Sequence, residues 1–243
     1  MTTFVCLHGA WGVPQEWDGV IAALVSAGHQ ACAVDLPIHD PSAGLEDYAD
    51  CVLRAAEPFP EPVVIVAHSA AGRVAAMIPA RLAVRHVVYI AAFVPLPRVP
   101  FLVRAAGEPI ASARGGDFEL ATPAFRSLIV EGNDGTCSID VQAFASFLAG
   151  DAAADLLVPM LRPLLRPNAV RVFEEPFPRD ELPRGPSTYL LTAADPVLPP
   201  ASQRVFARRL GLTPVEIAGA DHGVHRKRPR ALAALLGHIA TGS

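Results

Sequence analysis

Charge is scarce in this chain. Lys, Arg, Asp and Glu make up only 18% of its 243 residues, and they balance to a net −4. With a pI near 6.0 there is no electrostatic case for nucleic acid or an anionic membrane surface. Cysteine is also sparse. Cys6, Cys32, Cys51 and Cys137 show neither a CxxC pair nor metal-ligand spacing, so a reducing compartment is expected, with no disulfide framework and no metal. Long apolar runs are missing: the longest, around Val63–Ala67 and Val87–Leu96, fall well short of the roughly 18 residues that a membrane span requires. Met1-Thr2-Thr3 leads into an apolar run with no basic region before it, so no signal peptide is expected and the cytoplasm is the expected location. Repeats and low-complexity tracts are absent as well.

Apolar residues, by contrast, supply 51% of the chain, enough for a large core. They fall in short runs at Phe4–Leu7, Ala31–Val34, Val63–Ala67, Val87–Ala92, Thr188–Thr192 and Pro214–Ile217, continuously apolar as buried parallel strands are. Helical patterns lie between them at about 15–27, 44–57, 71–82, 199–210 and 228–240. Alternation of this kind predicts an α/β fold with a mostly parallel sheet of about six strands flanked by helices. The rhythm breaks between Pro95 and Pro186, where prolines, Gly115-Gly116 and helical stretches at Val141–Ala149 and Ala152–Leu165 replace the strands. The expected organisation is a core of residues 1–95 and 186–243 with an inserted helical cap at 96–185.

The chemistry centres on Ala67-His68-Ser69-Ala70-Ala71-Gly72, which follows the third run. A serine between small residues at a strand-to-helix turn is pushed out of the backbone as a nucleophile; Ala67 and Ala71 meet the size requirement, although glycine is commoner at both. His8-Gly9-Ala10-Trp11 follows the first run. There the Ala10 amide, with that of Ala70, would form a two-donor oxyanion hole; a plain turn is the alternative. Asp195 ends the run Leu190–Ala194 and His222 lies 27 residues later, with Asp221 as a reserve acid. The chain order Ser69, Asp195, His222 is that of nucleophile, acid and general base on such a sheet.

These motifs, with Trp17, Asp35-Leu36-Pro37-Ile38-His39 and Tyr89–Pro95, resemble the α/β-hydrolase fold. They are similar to its branch of plant methylesterases of the salicylate-binding type, hydroxynitrile lyases and bacterial esterases. Ala152–Ala154, Leu161-Arg162-Pro163 and Glu175-Pro176-Phe177 fit less specifically. The resemblance implies a serine esterase acting on a small, largely apolar ester, without cofactor. Hydroxynitrile lyases of the branch carry a lysine directly after the histidine, where this chain has Gly223, and a threonine near the oxyanion loop, where it has Ala10 and Trp11; both departures disfavour cyanohydrin cleavage.

Trp11, His39, Phe93, Phe125, Phe144 and Phe147 are the expected pocket residues, with Phe101 and Phe118 as further candidates and 104–118 as a mobile lid edge. His68 reads as scaffolding. His225 reads as an exposed loop residue, with pocket polarity as the alternative. Arg226–Arg230 reads as a solvated helix start, with contact to an anionic substrate or a carrier protein as the alternative. The expected partner is a small molecule, with a homodimer left open. Two other functions stay open: a lyase or cyclase using the same Ser69 and His222, as fits secondary-metabolite tailoring, and a ligand-binding protein that has lost turnover.

Overall fold

The computed structural model describes residues 1–103, 108 and 121–242. Its strands are β1 (Thr3–Leu7), β2 (Gln30–Val34), β3 (Val63–His68), β4 (Val84–Ile90), β5 (Ile129–Glu131), β6 (Thr136–Ile139), β7 (Asn168–Ala169), β8 (Ser187–Thr192) and β9 (Val215–Ile217). The helices are α1 (Asp18–Ser26), α2 (Leu45–Ala56), α3 (Gly72–Ala75), α4 (Pro123–Arg126), α5 (Val141–Ala149), α6 (Asp151–Leu161), α7 (Arg171–Glu174), α8 (Pro200–Arg209), α9 (Val224–Lys227) and α10 (Pro229–Thr241).

Six strands form one sheet in the order β2-β1-β3-β4-β8-β9, every pair parallel. Because side chains alternate along a strand, each run feeds two cores. Val5, Leu7, Ile65, Ala67, Tyr89 and Leu191 pack toward α2, α3 and α8. Phe4, Cys6, Val64, Val66, Val88 and Leu190 pack toward α1 and α10 on the other face. Coverage of both faces is why the strands read as continuously apolar.

Two expectations about local structure fail for physical reasons. The helix expected over 71–82 is a single turn, α3, followed by a 3-10 turn at Ile78–Ala80. Pro79 has no amide to donate and its ring clashes with the carbonyl four residues back. Nor is the stretch between β4 and β8 purely helical: β5, β6 and β7 form a second, antiparallel sheet. Its hairpin turns at Asp134-Gly135, where Asp134 Oδ1 accepts from the Thr136 amide at 3.0 Å and Gly135 takes a φ of 82°. Phe125, Leu128, Ile139, Phe144 and Ala145 close a third core there. Arg73 of α3, almost fully buried, ties this stretch to the main sheet by donating to the carbonyls of Val172 and Glu175. Among the described residues no helix is long and apolar enough to cross a membrane.

Candidate active site

All the singled-out polar residues leave the sheet at its carboxyl edge, where ligands bind in folds of this kind. Ser69 follows β3 directly, with φ 53°. This left-handed conformation costs a non-glycine residue of order 1–3 kcal/mol and persists only when its surroundings enforce it. Here the Ser69 carbonyl accepts from the amides of Phe93, at 2.9 Å, and Gly72. Close approach from the other side also matters. A Cβ on Gly9 would stand 2.9 Å from Ser69 Cβ and 3.2 Å from His68 Nδ1, and one on Gly72 would lie 2.5 Å from the Phe93 carbonyl oxygen. Gly9→Ala should therefore lower kcat about 100-fold, the scale of a 1 Å misplacement; steady-state rates of the folded variant at the wild-type value would contradict this.

His222 reaches Ser69 from the loop after β9. Its Nε2 lies 3.1 Å from Ser69 Oγ, and its Nδ1 lies 2.8 Å from Asp195 Oδ2. Asp195 is saturated with donors: Val197 and Leu198 amides serve Oδ1 at 2.8 and 2.9 Å, while Thr192 Oγ1 and Gln203 Nε2 serve Oδ2 at 2.8 and 3.2 Å. Burial alone would raise the Asp195 pKa. The facing His222 and the hydrogen bonds from His222, Leu198 and Thr192 outweigh it and hold the carboxyl below its ordinary range. The acceptor carboxylate fixes the proton on Nδ1, so Nε2 presents a lone pair to the Ser69 hydroxyl. Such a chain can take the serine proton and hold the resulting imidazolium against a carboxylate. Asp221 is engaged elsewhere, by the Gly223 amide at 3.0 Å and by Lys227.

His68, almost fully buried, also positions His222. Its Nε2–H donates to the His222 carbonyl at 2.9 Å, which leaves Nδ1 as a bare acceptor. Burial, reinforced by His225 and His222, drives its pKa well down, so the ring is neutral. His8 does the equivalent for the loop after β1. Its Nε2 accepts from the Leu36 amide at 3.2 Å and from Arg166 at 3.1 Å, so Nδ1–H donates to the Gly9 carbonyl at 2.9 Å. Burial lowers the His8 pKa to about 4. The stretch between β4 and β8 grips the same loop. Arg166 donates through its amide to the Trp11 carbonyl at 2.9 Å and through Nε to that of Gly12 at 3.0 Å, and Asn168 Oδ1 accepts the Trp11 amide at 3.3 Å. These contacts hold Trp11 at φ 58°.

Ser69, His68 and His222 open into a cavity of about 100 Å³. Of the expected pocket residues, Trp11, Phe93, Phe125 and Phe144 line it, as does Phe101. Two do not. His39 is exposed in the loop after β2, and Phe147 sits behind the lining, its ring 6.0 Å from Phe125 and 6.3 Å from Phe144. Ala10 lines the cavity, whereas Ala70 faces an adjacent, smaller one that Ala10 also borders. Phe118 and the lid edge expected at 104–118 lie outside the described residues, apart from Glu108. Among the described residues no group of three or more metal-ligating side chains gathers.

Among the polar lining residues, Glu16 escapes a reading of the sequence, while His225 and Arg226 enter it only as alternatives to an exposed residue and a solvated helix start. His225 is not an exposed loop residue but 1% accessible. The basic run is not uniformly solvated either: Arg226 turns inward to Glu16 at 3.2 Å, and Arg228 caps the Ala218 and Gly219 carbonyls. Glu16 and Arg226 are 210 positions apart, so local spacing carries no sign of their pairing.

The family model for the alpha/beta hydrolase family matches residues 4–235. Esterase PIR7B from Oryza sativa subsp. japonica is 30% identical over 96% of this chain and 92% of its own. Among solved structures, a pyrethroid hydrolase from Sphingobium faniae JZ-2 superposes with a TM-score of 0.71 at 22% identity, covering 99% of this chain and 97% of that one. An extracellular alpha/beta-hydrolase from a Paenibacillus species, described as sharing structural and functional homology with tobacco salicylic acid binding protein 2, gives 0.75 at 19% identity, covering 98% and 99%.

Proposed function

Because this chain belongs to the alpha/beta hydrolase family, we propose that it is a serine esterase cleaving a small, largely apolar carboxylic ester through an acyl-enzyme. Ser69 Oγ attacks the ester carbonyl while His222 Nε2 takes its proton, and Asp195 stabilises the imidazolium. The amides of Ala10 and Ala70 receive the developing oxyanion. His222 then protonates the departing alcohol, and water, activated by the same imidazole, releases the acid. Residues 96–185 act as a cap that shields these steps from bulk water, on a core of 1–95 and 186–243.

The supporting observation is the hydrogen-bonded chain Ser69–His222–Asp195, whose serine and histidine line a cavity walled by Trp11, Phe93, Phe125 and Phe144. The named activity of the rice relative agrees. At about 100 Å³ the cavity is smaller than the roughly 300–1,000 Å³ of sites for drug-sized ligands, which favours short acyl groups. Turnover of p-nitrophenyl esters from acetate to octanoate tests the reading, with Ser69→Ala as control. The expected result is hydrolysis that favours acetate and butyrate over octanoate and disappears in the variant. A folded wild-type protein that turns over none of them would overturn it and move the weight to lyase or cyclase chemistry.

A further inference from the structure

We propose that His225, Glu16 and Arg226 form a polar subsite beside Ser69 that recognises a neutral hydroxyl or carbonyl group carried by the substrate close to its ester. The inference rests on the acyl-transfer reading above and adds a substrate class to it: esters of hydroxy or oxo acids.

The subsite grows from two short elements that pack together on one face of the sheet. The 3-10 turn Pro14–Trp17 follows the loop that carries Ala10, and it brings Glu16 to the cavity and Trp17 against His225. α9 begins two residues after His222 and turns His225 and Arg226 back toward the same cavity. The His225 ring lies between Trp17 and His68, with centroids 4.8 and 4.4 Å away. It is 1% accessible, and among the described residues neither ring nitrogen has a hydrogen-bond partner. A neutral imidazole offers one N–H donor and one lone pair, and buried polar groups of this kind are nearly always met. A hydroxyl can meet either nitrogen, accepting the N–H or donating to the lone pair, and a carbonyl oxygen can take the N–H; an alkyl group can do neither.

The neighbouring charges decide between a neutral and an anionic ligand. Arg226 faces Glu16 at 3.2 Å, and the Glu16 side chain is only 8% exposed. Arg226 also rides over Gly223, where a Cβ would come within 3.2 Å of its Nη2, so the bare glycine gives the guanidinium its place. With its charge matched by a buried carboxylate, Arg226 offers no net attraction to an anion, and a substrate carboxylate would have to displace Glu16. Burial first, then Arg226 and His222, drive the His225 pKa well down and keep that ring uncharged too. Phe125 and Phe144, apolar residues of the same lining, take the hydrocarbon part of the substrate.

The test compares kcat/KM for methyl butanoate and methyl 3-hydroxybutanoate, each divided by its alkaline hydrolysis rate, in the wild type and in His225→Met, His225→Gln and Arg226→Met. The wild type should favour the hydroxy ester about 10-fold or more, since a site built to bond a hydroxyl discriminates strongly against its absence. His225→Met should bring the ratio within about twofold of unity, His225→Gln should retain most of it, and Arg226→Met should lower it; Arg226→Met also decides the matter if His225→Met does not fold. A wild-type ratio near unity with methyl butanoate turned over, or a preference that survives His225→Met, overturns the subsite and leaves the esterase reading standing. Preference for monomethyl succinate over both esters overturns the choice of a neutral ligand. Hydrolysis of neither methyl ester by wild-type protein that turns over p-nitrophenyl butyrate overturns the subsite and leaves the esterase reading standing, whereas failure on all three overturns both.

Discussion

Asp195→Asn is expected to lower kcat for ester hydrolysis about 10⁴-fold. The reason lies in how the carboxylate is held. Oδ1 accepts two backbone amides, from Val197 and Leu198, whose directions cannot change. An asparagine must therefore keep its carbonyl oxygen there and turn its NH₂ toward His222 Nδ1. That nitrogen then becomes the acceptor, the ring proton moves to Nε2, and Nε2 donates to Ser69 Oγ at a site where it should accept. The geometry survives while the tautomer is wrong. Steady-state kinetics on the folded variant decide the matter: a loss of tenfold or less would mean that Asp195 does not set the His222 tautomer.

His222→Ala should cost more, on the order of 10⁶-fold in kcat, the scale seen when a general base or its nucleophile is removed from a unit that works together. Two other imidazoles lie close, with His68 4.6 Å from the His222 ring and His225 4.4 Å from His68. Neither is suited to replace it. The His68 proton is committed to the His222 carbonyl, its free nitrogen faces Gly9, and burial holds both rings neutral with weakened basicity. Added imidazole, small enough for the space vacated by the ring, should restore part of the rate. Activity above about 1% of wild type without imidazole would show that a neighbouring histidine serves as base.

Much of this site can be read in the sequence because each part hangs on the carboxyl end of a strand. Gly9 and Ala10 follow β1, Ser69 follows β3, and Asp195 and His222 follow β8 and β9, so a correct reading of the apolar runs also orders the polar residues. The surroundings were harder to read. β5 is three residues long with two of them exposed, and its pairing with β6 depends on a turn rather than on a hydrophobic run. The apolar pattern over 71–82 concealed what Pro79 does to a helix. The place of His39 after β2 suggests the pocket, yet the chain leaves the sheet edge there and the residue is exposed. Glu16, His225 and Arg226 become a cluster only when the turn after β1 and the helix after His222 meet in space.

The most direct measurement is a rapid-quench reaction of the wild-type protein with p-nitrophenyl butyrate, followed by intact mass and peptide mapping. Acyl transfer predicts a p-nitrophenolate burst that approaches one equivalent when deacylation limits turnover, and a butyryl adduct of about 70 Da on the peptide carrying Ser69, since transfer replaces one hydroxyl hydrogen. The adduct should be absent from Ser69→Ala. An adduct on another residue, or turnover that persists at the wild-type rate in Ser69→Ala, would contradict the account.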